Sequence, residues 1–254
     1  MDNLSLSLKG KVALVTGGSR GIGRAIAVKL AQAGADVAIN YLRHRTAADE
    51  TIEKKKKQGA NALAIRANVG EHENIHDMID EIEKKFGKLD ILISNAASGV
   101  LKPATELTER HWHWTMDINA GTLLPLTQHT LPLMKDGGTI VAVSSLGSIR
   151  AIPNYAAVGA SKAALESLIR HLAIELAPKG VKVNAISAGT VETDALKFFP
   201  NREDIVHESQ KRTPTGRLTT PDDVANVALY LCSPFSNQIQ GQTIVIDGGY
   251  SILA

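Results

Sequence analysis

The segment Val12-Ala13-Leu14-Val15-Thr16-Gly17-Gly18-Ser19-Arg20-Gly21-Ile22-Gly23 begins as a short apolar run and ends in closely spaced glycines. A helical pattern follows over Ile22–Ala33, with apolar residues at three- and four-residue intervals. Glycines are needed where a chain turns sharply and where a pyrophosphate must approach the main chain closely. The N-terminus of the following helix offers that anion unpaired N–H groups and a positive dipole end. The segment therefore predicts a strand, a phosphate-binding turn and a helix, in that order.

The rest of the chain repeats this alternation of strand and helix. Segments of helical period, such as Asp77–Phe86, separate runs that are apolar almost throughout, as expected for parallel strands covered on both faces. Strands regularly separated by helices imply βαβ crossovers. We therefore predict an α/β fold, a doubly wound (Rossmann) domain with a seven-stranded parallel sheet and helices on both faces. The predicted strands are Val12–Thr16, Ala35–Tyr41, Ala62–Arg66, Leu89–Ser94, Thr139–Ser144, Val181–Ser187 and Thr243–Asp247.

Composition narrows the class of protein. The chain has 254 residues, 44% hydrophobic and 21% charged, and no linker or repeat divides it, so we expect a single domain over residues 1–254. Its 28 Lys and Arg against 26 Asp and Glu give a net charge of +2, which argues against a nucleic-acid partner. No apolar run approaches the roughly 18 residues of a membrane span, and the N-terminus lacks a secretory pattern. We expect a cytoplasmic protein with no membrane partner.

Cysteine and histidine usage argues against a disulfide framework and against a metal site. The single cysteine, Cys232, lies in an apolar helical pattern that favours a buried core thiol. His72 and His76 stand one helical turn apart, but no third ligand is evident nearby. We therefore expect no metal.

Two kinds of nucleotide site use a glycine-rich turn between a strand and a helix. A triphosphate-binding P-loop needs Lys and then Ser or Thr after its last glycine, whereas Gly23 is followed by Arg24 and Ala25. A dinucleotide site needs the turn directly after the first strand and directly before a helix, which is the arrangement found here. A tight turn without a ligand is the alternative, but this placement favours dinucleotide binding.

The end of the second predicted strand indicates which dinucleotide binds. An NAD-preferring site usually has an acidic residue there, about 20 residues beyond the glycines, to bind the ribose 2′-hydroxyl. The stretch Asn40-Tyr41-Leu42-Arg43 has none. Arg20 in the turn, with Arg43 or Arg45, can instead pair with a 2′-phosphate. The alternative is that these arginines are exposed loop residues without a ligand. Because this stretch has no acidic side chain and the basic side chains are present, the sequence predicts NADPH as the cofactor.

The turn Thr16-Gly17-x-x-x-Gly21-Ile22-Gly23 resembles that of the short-chain dehydrogenase/reductase family, and the resemblance extends over essentially the whole chain. Asn68-Val69 stands where the family has Asp-Val beside the adenine, and an Asn oxygen can still accept a hydrogen bond from the adenine amino group. Ser94-Asn95-Ala96-Ala97 resembles the family's Asn-Asn-Ala-Gly element beside the cofactor. The resemblance implies that the cofactor is bound by Gly17, Ser19, Arg20, Gly21, Ile22, Gly23, Tyr41, Arg43, Asn68, Val69, Asn95, Ala96, Lys162, Gly189, Thr190 and Thr193.

The stretch that ends at Lys162 departs from the family pattern at an informative position. Most family members have a catalytic Tyr four residues before the Lys; here Val158 stands there, and Tyr155 lies seven residues before Lys162. Seven residues are about two helical turns, so both side chains can share a helix face, roughly 10.5 Å apart along the axis. A packing aromatic at a helix start is the alternative interpretation of Tyr155. The resemblance implies four catalytic residues, Tyr155, Lys162, Ser145 and Asn119.

The Tyr-x6-Lys spacing is that of enoyl-[acyl-carrier-protein] reductases. Such an enzyme reduces the β-carbon and must stabilise charge on the more distant thioester oxygen, which a phenol one turn further along the helix could reach. The stretches Asn95–Leu101, His111–Met116 and Asp194–Glu203 resemble the NADPH-dependent enoyl reductase III type. This resemblance implies reduction of the trans-2 double bond of enoyl-[acyl-carrier-protein] thioesters in fatty-acid elongation.

The resemblance also implies a role for each catalytic residue. Tyr155 would hydrogen-bond or protonate the developing enolate oxygen. Lys162 would bind the nicotinamide ribose hydroxyls, and its charge would lower the pKa of the phenol. Ser145 would orient the thioester or support Tyr155, and Asn119 would anchor a water in a proton relay.

Further implications concern the substrate cover, the assembly and the rival functions. The polar segment of about residues 190–217 is long enough to cover a substrate, an ordinary surface excursion being the alternative. The family implies a homotetramer formed through the Tyr-bearing helix and the last strand.

Two other functions compete with enoyl-thioester reduction. The rival enzyme is a 3-oxoacyl-thioester reductase or another NADPH-dependent short-chain alcohol dehydrogenase. A rival from another class is a catalytically silent NADPH-binding sensor or scaffold of the same fold.

Overall fold

Seven parallel strands form one sheet in the computed structural model, which describes residues 6–56, 61–193, 196 and 202–253. The strands are β1 (Val12–Val15), β2 (Asp36–Tyr41), β3 (Ala62–Arg66), β4 (Ile91–Ser94), β5 (Gly138–Ser145), β6 (Val181–Ala188) and β7 (Thr243–Ile246). Their spatial order is β3-β2-β1-β4-β5-β6-β7, so the direction of winding reverses between β1 and β4. A doubly wound sheet binds its ligand in the crevice at the carboxyl ends of the strands at this point.

Eight α-helices connect the strands within the described ranges. They are α1 (Gly21–Gln32), α2 (Arg45–Lys56), α3 (His72–Phe86), α4 (Glu109–Met116), α5 (Leu123–Thr130), α6 (Ala156–Leu176), α7 (Arg202–Arg212) and α8 (Pro221–Cys232). A π-helical turn, Asp117–Gly121, lies between α4 and α5. Helix α8 begins with a capping box, in which the side chains of Thr220 and Asp223 each accept a hydrogen bond from the other residue's N–H.

Two hydrophobic cores lie on opposite faces of the sheet, because successive residues of a strand point to opposite sides. Ala13 and Val15 of β1 belong to the core covered by α1, α2 and α8. Val12 and Leu14 belong to the core covered by α3, α5 and α6. Burial on both faces explains why the strands are apolar almost throughout. The predicted doubly wound α/β fold with a seven-stranded parallel sheet is confirmed.

Several smaller expectations can be placed on this fold. Cys232 is buried, and burial raises the pKa of its thiol to about 12, which confirms a core thiol. No helix in the described part of the chain is long and apolar enough to cross a membrane. Of the predicted substrate cover, about residues 190–217, residues 194–195 and 197–201 lie outside the described residues, as does most of the stretch Asp194–Glu203.

Candidate active site

The glycine-rich turn joins β1 to α1 at the point where the winding reverses. The N–H groups of Gly17 and Gly18 donate to the side-chain and main-chain oxygens of Asn40, over 3.3 and 3.0 Å. A Cβ on Gly18 would stand 2.6 Å from a side chain of β2, and a Cβ on Gly23 would stand 2.4 Å from the amide nitrogen of Asn95. Close packing therefore requires glycine at both positions, and the turn is fixed against two neighbouring strands.

The N-terminus of α1 fits the pyrophosphate of a dinucleotide. Among the described residues, its N-cap Arg20 makes no side-chain capping bond and its first turn carries no acidic side chain. The positive end of the helix dipole and the N–H groups of the first turn are thus left for an anion. A Cβ on Gly21 would stand 3.6 Å from Thr193, which places Thr193 beside the turn. Ser19 is buried and Ile22 is half-buried at this end of the helix.

The loop after β4 is tied to the same turn. The Thr16 hydroxyl accepts hydrogen bonds from the N–H groups of Asn95 and Ala96, each over 3.0 Å. The Asn95 amide donates to the main-chain oxygens of Thr16 and Gly17, over 2.9 and 3.2 Å. Asn95 and Ala96 therefore lie against the turn, and the donors of the Asn95 side chain serve to fix it.

Basic side chains lie in the turn and beyond the end of β2, where the sequence predicts a 2′-phosphate site. Arg20 and Arg43 are exposed, and neither forms an ion pair with another described residue. Arg45 instead lies over its own helix, with Nε 3.8 Å from the Asp49 carboxylate. Tyr41 is buried at the end of β2. Arg20 and Arg43 are therefore available to an anionic ligand, whereas Arg45 is partly engaged.

Arg24 and Asn40 stabilise this region, and sequence reasoning missed both. The guanidinium of Arg24 donates to the main-chain oxygens of Ser19 and Ala47, over 2.8 and 2.9 Å, and so joins the turn to the start of α2. The Asn40 amide donates to the main-chain oxygen of Ala67 over 2.9 Å, which links the turn to the end of β3. The only sequence signal for either is a polar side chain inside or beside an apolar run.

The predicted adenine site lies between β3 and α3. The Asn68 side-chain oxygen accepts from the Gly70 N–H over 3.1 Å, and its amide donates to Glu71 over 2.7 Å. Val69 is buried next to it. The oxygen that the sequence assigns to the adenine therefore already accepts one hydrogen bond and keeps one lone pair for another.

Tyr155 and Ser145 are brought together at the carboxyl end of β5. The Tyr155 hydroxyl donates to Ser145 Oγ over 3.4 Å, and Ser145 Oγ also accepts from the Gly147 N–H over 3.2 Å. A Cβ on Gly147 would stand 2.6 Å from the Tyr155 ring, and a Cβ on Gly159 would stand 2.7 Å from the Gly147 oxygen. The two glycines make the slot that holds the ring, and sequence reasoning missed them.

Two details of Tyr155 differ from the sequence expectation. The residue is the N-cap of α6 and so lies just outside the helix, where its main-chain oxygen accepts the first helical bond, from the Gly159 N–H over 2.7 Å. Burial raises the pKa of the phenol above its usual value, and the hydrogen bond with Ser145 only partly opposes this. The expectation of a lowered phenol pKa is therefore wrong, because desolvation of the anion outweighs the stabilising contacts.

Lys162 lies behind these hydroxyls against β5. Its Nζ donates to the main-chain oxygen of Val143 over 2.7 Å, and the side chain is buried. Burial lowers the pKa of Lys162 to about 8, while the carboxylate of Glu166 acts in the opposite direction. Glu166 is buried as well and accepts a hydrogen bond from Ser144 Oγ over 2.5 Å.

Asn119 and Val158 lie beside this group without entering it. The Asn119 oxygen accepts from the Ser98 N–H over 2.8 Å, and its amide donates to Ser161 Oγ over 2.9 Å. The Asn119 side chain thus joins the loop after β4 to α6, and the predicted water relay stays a prediction. Val158, at the family's usual Tyr position, packs so closely on Gly99 that a Cβ on Gly99 would stand 2.4 Å from it.

A cavity of about 690 Å³ opens beside Tyr155 and Ser145. Residues from four parts of the chain line it: those that follow β5, those from the end of β6 to Thr193 together with Leu196, those of α7, and the last residues described. Gly189, Thr190 and Thr193 also line it, so the predicted nicotinamide contacts and the two hydroxyls face one space. Thr190 bonds with Ser209 of α7 over 3.0 Å. The apolar part of the lining includes Leu146, Ile152, Val191, Leu196, Ile205 and Leu253.

Two arginines contact the C-terminal turn, Tyr250–Ile252, beside this cavity. Arg150, which follows β5, donates to the main-chain oxygen of Ser251. On the other side, the guanidinium of Arg212 at the end of α7 lies 5.2 Å from the centre of the Tyr250 ring. The turn therefore forms a wall anchored to both neighbouring segments.

Known proteins resemble this chain over nearly its whole length. Residues 17–251 match a family model described as enoyl-(acyl carrier protein) reductase. The 1-cyclohexenylcarbonyl-CoA reductase of Streptomyces collinus is 38% identical over 246 residues, which cover 96% of this chain and 88% of that protein.

Two solved structures have the same fold. A short-chain type dehydrogenase/reductase from Mycobacterium marinum superposes with a TM-score of 0.91 at 32% identity, covering 98% of both chains. A 7α-hydroxysteroid dehydrogenase in complex with NADH and 7-oxo glycochenodeoxycholic acid superposes with a TM-score of 0.92 at 33% identity, again covering 98% of both chains.

Proposed function

The chain belongs to the short-chain dehydrogenase/reductase family, and from that premise we propose that it uses NADPH to reduce the trans-2 double bond of enoyl-[acyl-carrier-protein] thioesters in fatty-acid elongation. Membership of the family makes it an oxidoreductase with a nicotinamide cofactor. The proposal adds the choice of NADPH, the acyl-thioester substrate and the bond that is reduced. It also includes a cytoplasmic location and a homotetrameric assembly, both of which rest on resemblance to the family.

The observation that carries the proposal is the position of the phenol. Tyr155 presents its hydroxyl to the cavity beside Ser145, while the family's usual Tyr position is filled by Val158, packed on Gly99. A phenol displaced in this way suits an oxygen that is remote from the carbon being reduced, as in an α,β-unsaturated thioester. The apolar lining of the cavity suits an acyl chain.

The residues of the chain have distinct tasks in this reaction. The raised pKa of Tyr155 keeps its proton in place at neutral pH, so the hydroxyl can donate to the thioester oxygen as negative charge develops there. The Tyr155 hydroxyl donates to Ser145 Oγ, and this contact fixes the direction of the phenol until the thioester oxygen replaces Ser145 as the acceptor. Lys162, positively charged below about pH 8, stabilises the charge that builds up beside it.

Two features of the cleft support the choice of cofactor: the first suits any nicotinamide dinucleotide, and the second favours NADPH. The close-packed glycine turn and the uncapped N-terminus of α1 suit a pyrophosphate. Arg20 and Arg43 suit a 2′-phosphate, which guanidinium groups bind through paired hydrogen bonds. When bound, the cofactor supplies the hydride, and Lys162 would hold its nicotinamide ribose.

One observation favours a second function, the reduction of a 3-oxoacyl thioester. Ser145 and Tyr155 place two hydroxyl groups 3.4 Å apart, which also suits a ketone oxygen bound between them. The two reactions differ in product, since a 3-oxoacyl thioester gives a hydroxyacyl thioester and an enoyl thioester gives a saturated one.

The test is NADPH consumption with crotonyl thioester and, separately, with acetoacetyl thioester, each on acyl carrier protein and on coenzyme A. We expect butyryl thioester to form from the first substrate, identified by mass spectrometry, with NADPH preferred to NADH. Activity on the ketone alone would establish the rival reductase. Cofactor binding without turnover of any acyl thioester would establish the sensor or scaffold.

A further inference from the structure

Glu166 is a buried carboxylate that the reaction above does not use. It lies on α6 one helical turn beyond Lys162, and the two residues are only 7% and 6% exposed. Burying an ionised carboxylate is costly unless hydrogen bonds or an opposite charge offset it. A hydrogen-bond donor, Ser144, and a basic side chain, Lys162, both lie near Glu166.

Strand β5 holds Lys162 and Glu166 through adjacent residues. Lys162 Nζ donates to the main-chain oxygen of Val143, and Ser144 Oγ donates to Glu166 Oε1, over 2.7 and 2.5 Å. Val143 and Ser144 follow each other on the strand, and side chains four residues apart on a helix are neighbours. The ammonium and the carboxylate are therefore both fixed to one short stretch of β5.

We propose that Glu166 is a positioning residue that keeps Lys162 charged and in place against β5, so that Lys162 can serve the cofactor and the phenol. The inference rests on the proposed function for the use made of Lys162, but the anchoring of the two side chains to adjacent residues of β5 does not depend on the substrate.

The other described charged groups on the elements around α6 either bond to residues other than Lys162 or are exposed to solvent. Lys182 of β6 donates to Ser233 and Ser236, and His111 caps the start of α4. Glu166 is the one charged group in the described part of the chain that acts on Lys162. The remaining charged residues of α4, the π-helical turn and the adjoining part of α6 are exposed: Glu109, Arg110, His113, Asp117 and Arg170.

The test replaces the carboxylate without changing its shape. Glu166→Gln keeps an oxygen that can accept from Ser144 but removes the charge that raises the pKa of Lys162. The Lys162 signal is followed by NMR in protein labelled at the lysine ε-carbon and assigned by its loss in Lys162→Met. We expect its titration midpoint to fall by about one pH unit in Glu166→Gln. The alkaline limb of kcat with crotonyl thioester should move to lower pH by the same amount.

The matched control is Glu175→Gln, the same change at an exposed position of α6, which should move neither midpoint. An unchanged Lys162 midpoint in Glu166→Gln, or an equal shift in Glu175→Gln, overturns the inference. A shifted NMR midpoint in an enzyme with no thioester turnover supports the pairing and refutes only the proposed function.

Ser144→Ala provides a second variant if Glu166→Gln does not fold, as judged by thermal melting. Loss of the hydroxyl removes the contact that holds the Glu166 carboxylate on β5 beside Lys162, so the Lys162 midpoint should fall in the same direction by a smaller amount. No shift in a folded Ser144→Ala protein would also count against the inference.

Discussion

The cofactor side of the cleft is built mainly from backbone, and the substrate side mainly from side chains. Around the glycine turn, N–H groups of Gly17 and Gly18 meet oxygens of Asn40, and glycine at position 23 allows Asn95 to approach. Around the cavity, Tyr155 and Tyr250 come from segments almost a hundred residues apart and project side chains into one space.

This difference separates two kinds of effect. A turn fixed by backbone contacts tolerates little change in shape, so substitutions there should weaken cofactor binding whatever the substrate. A wall made of side chains can change its chemistry without losing its shape, so substitutions there should alter turnover or substrate binding and leave the cofactor bound.

Tyr155→Phe should have the largest effect of the four substitutions, and this effect should be on turnover and not on cofactor binding. It keeps the ring over Gly147 but removes the donor to the substrate oxygen, so kcat with crotonyl thioester should fall by about 10²- to 10⁴-fold. The NADPH Kd, measured by fluorescence titration, should stay the same. Tyr230→Phe is the matched control, since the Tyr230 hydroxyl bonds to Phe235 on the surface. Full turnover in Tyr155→Phe would remove the basis for its catalytic role.

Gly23→Ala should weaken NADPH binding by distorting the glycine-rich turn. The added methyl group would stand 2.4 Å from both the Asn95 amide and the Gly17 oxygen. Overpacking of this kind costs about 1–3 kcal/mol, so the NADPH Kd should rise by roughly 10- to 100-fold. Gly121→Ala is the control, because the nearest atom to its methyl group is 3.7 Å away. An unchanged NADPH Kd in Gly23→Ala would mean that the turn does not contact the cofactor.

Arg43→Ala should change the choice of cofactor without breaking the site. Loss of a hydrogen-bonded charge to the 2′-phosphate costs about 1.5–3 kcal/mol, so the NADPH Kd should rise by roughly tenfold or more while the NADH Kd stays constant. Both constants are measured by the same titration. Arg110→Ala, an exposed arginine on α4, serves as the control. Equal losses for NADPH and NADH would contradict a 2′-phosphate contact.

Tyr250→Ala should have the smallest effect. It removes the ring under Arg212 and part of the cavity wall, so the KM for crotonyl thioester should rise a few-fold with little change in kcat or NADPH Kd. Steady-state kinetics give KM and kcat, and the fluorescence titration gives the NADPH Kd. Ile252→Ala, two residues along the same turn and exposed, should leave KM unchanged. A rise in the NADPH Kd of Tyr250→Ala would contradict the claim that substitutions on the substrate side leave cofactor binding unchanged.

The sequence predicts the strand, turn and helix of the proposed cofactor side well because their determinants are local. Strand, glycines and helix follow one another from Val12 to Ala33, and periodicity and spacing are enough to predict them. The absence of acid after β2 and the presence of Arg43 can likewise be read from a few neighbouring residues. The contacts that join separate elements, such as those of Asn40 and Arg24, required the structure.

The substrate side is harder to predict because its contacts join distant parts of the chain. Ser144 and Glu166 are 22 positions apart, and no local pattern relates a serine at a strand end to a carboxylate inside a helix. The slot for Tyr155 depends on Gly147, and resemblance to a family gives no sign of that contact. Spacing alone predicted that Tyr155 and Lys162 lie two turns apart within one helix, but the helix begins one residue after Tyr155.

A competition assay tests the central claim most directly. Crotonyl and acetoacetyl thioesters are supplied together at equal concentration with NADPH, and mass spectrometry gives the ratio of butyryl to 3-hydroxybutyryl product at low conversion. We predict a large excess of butyryl product, which disappears in Tyr155→Phe. A predominance of 3-hydroxybutyryl product would contradict the account and identify the protein as a ketone reductase of the same fold.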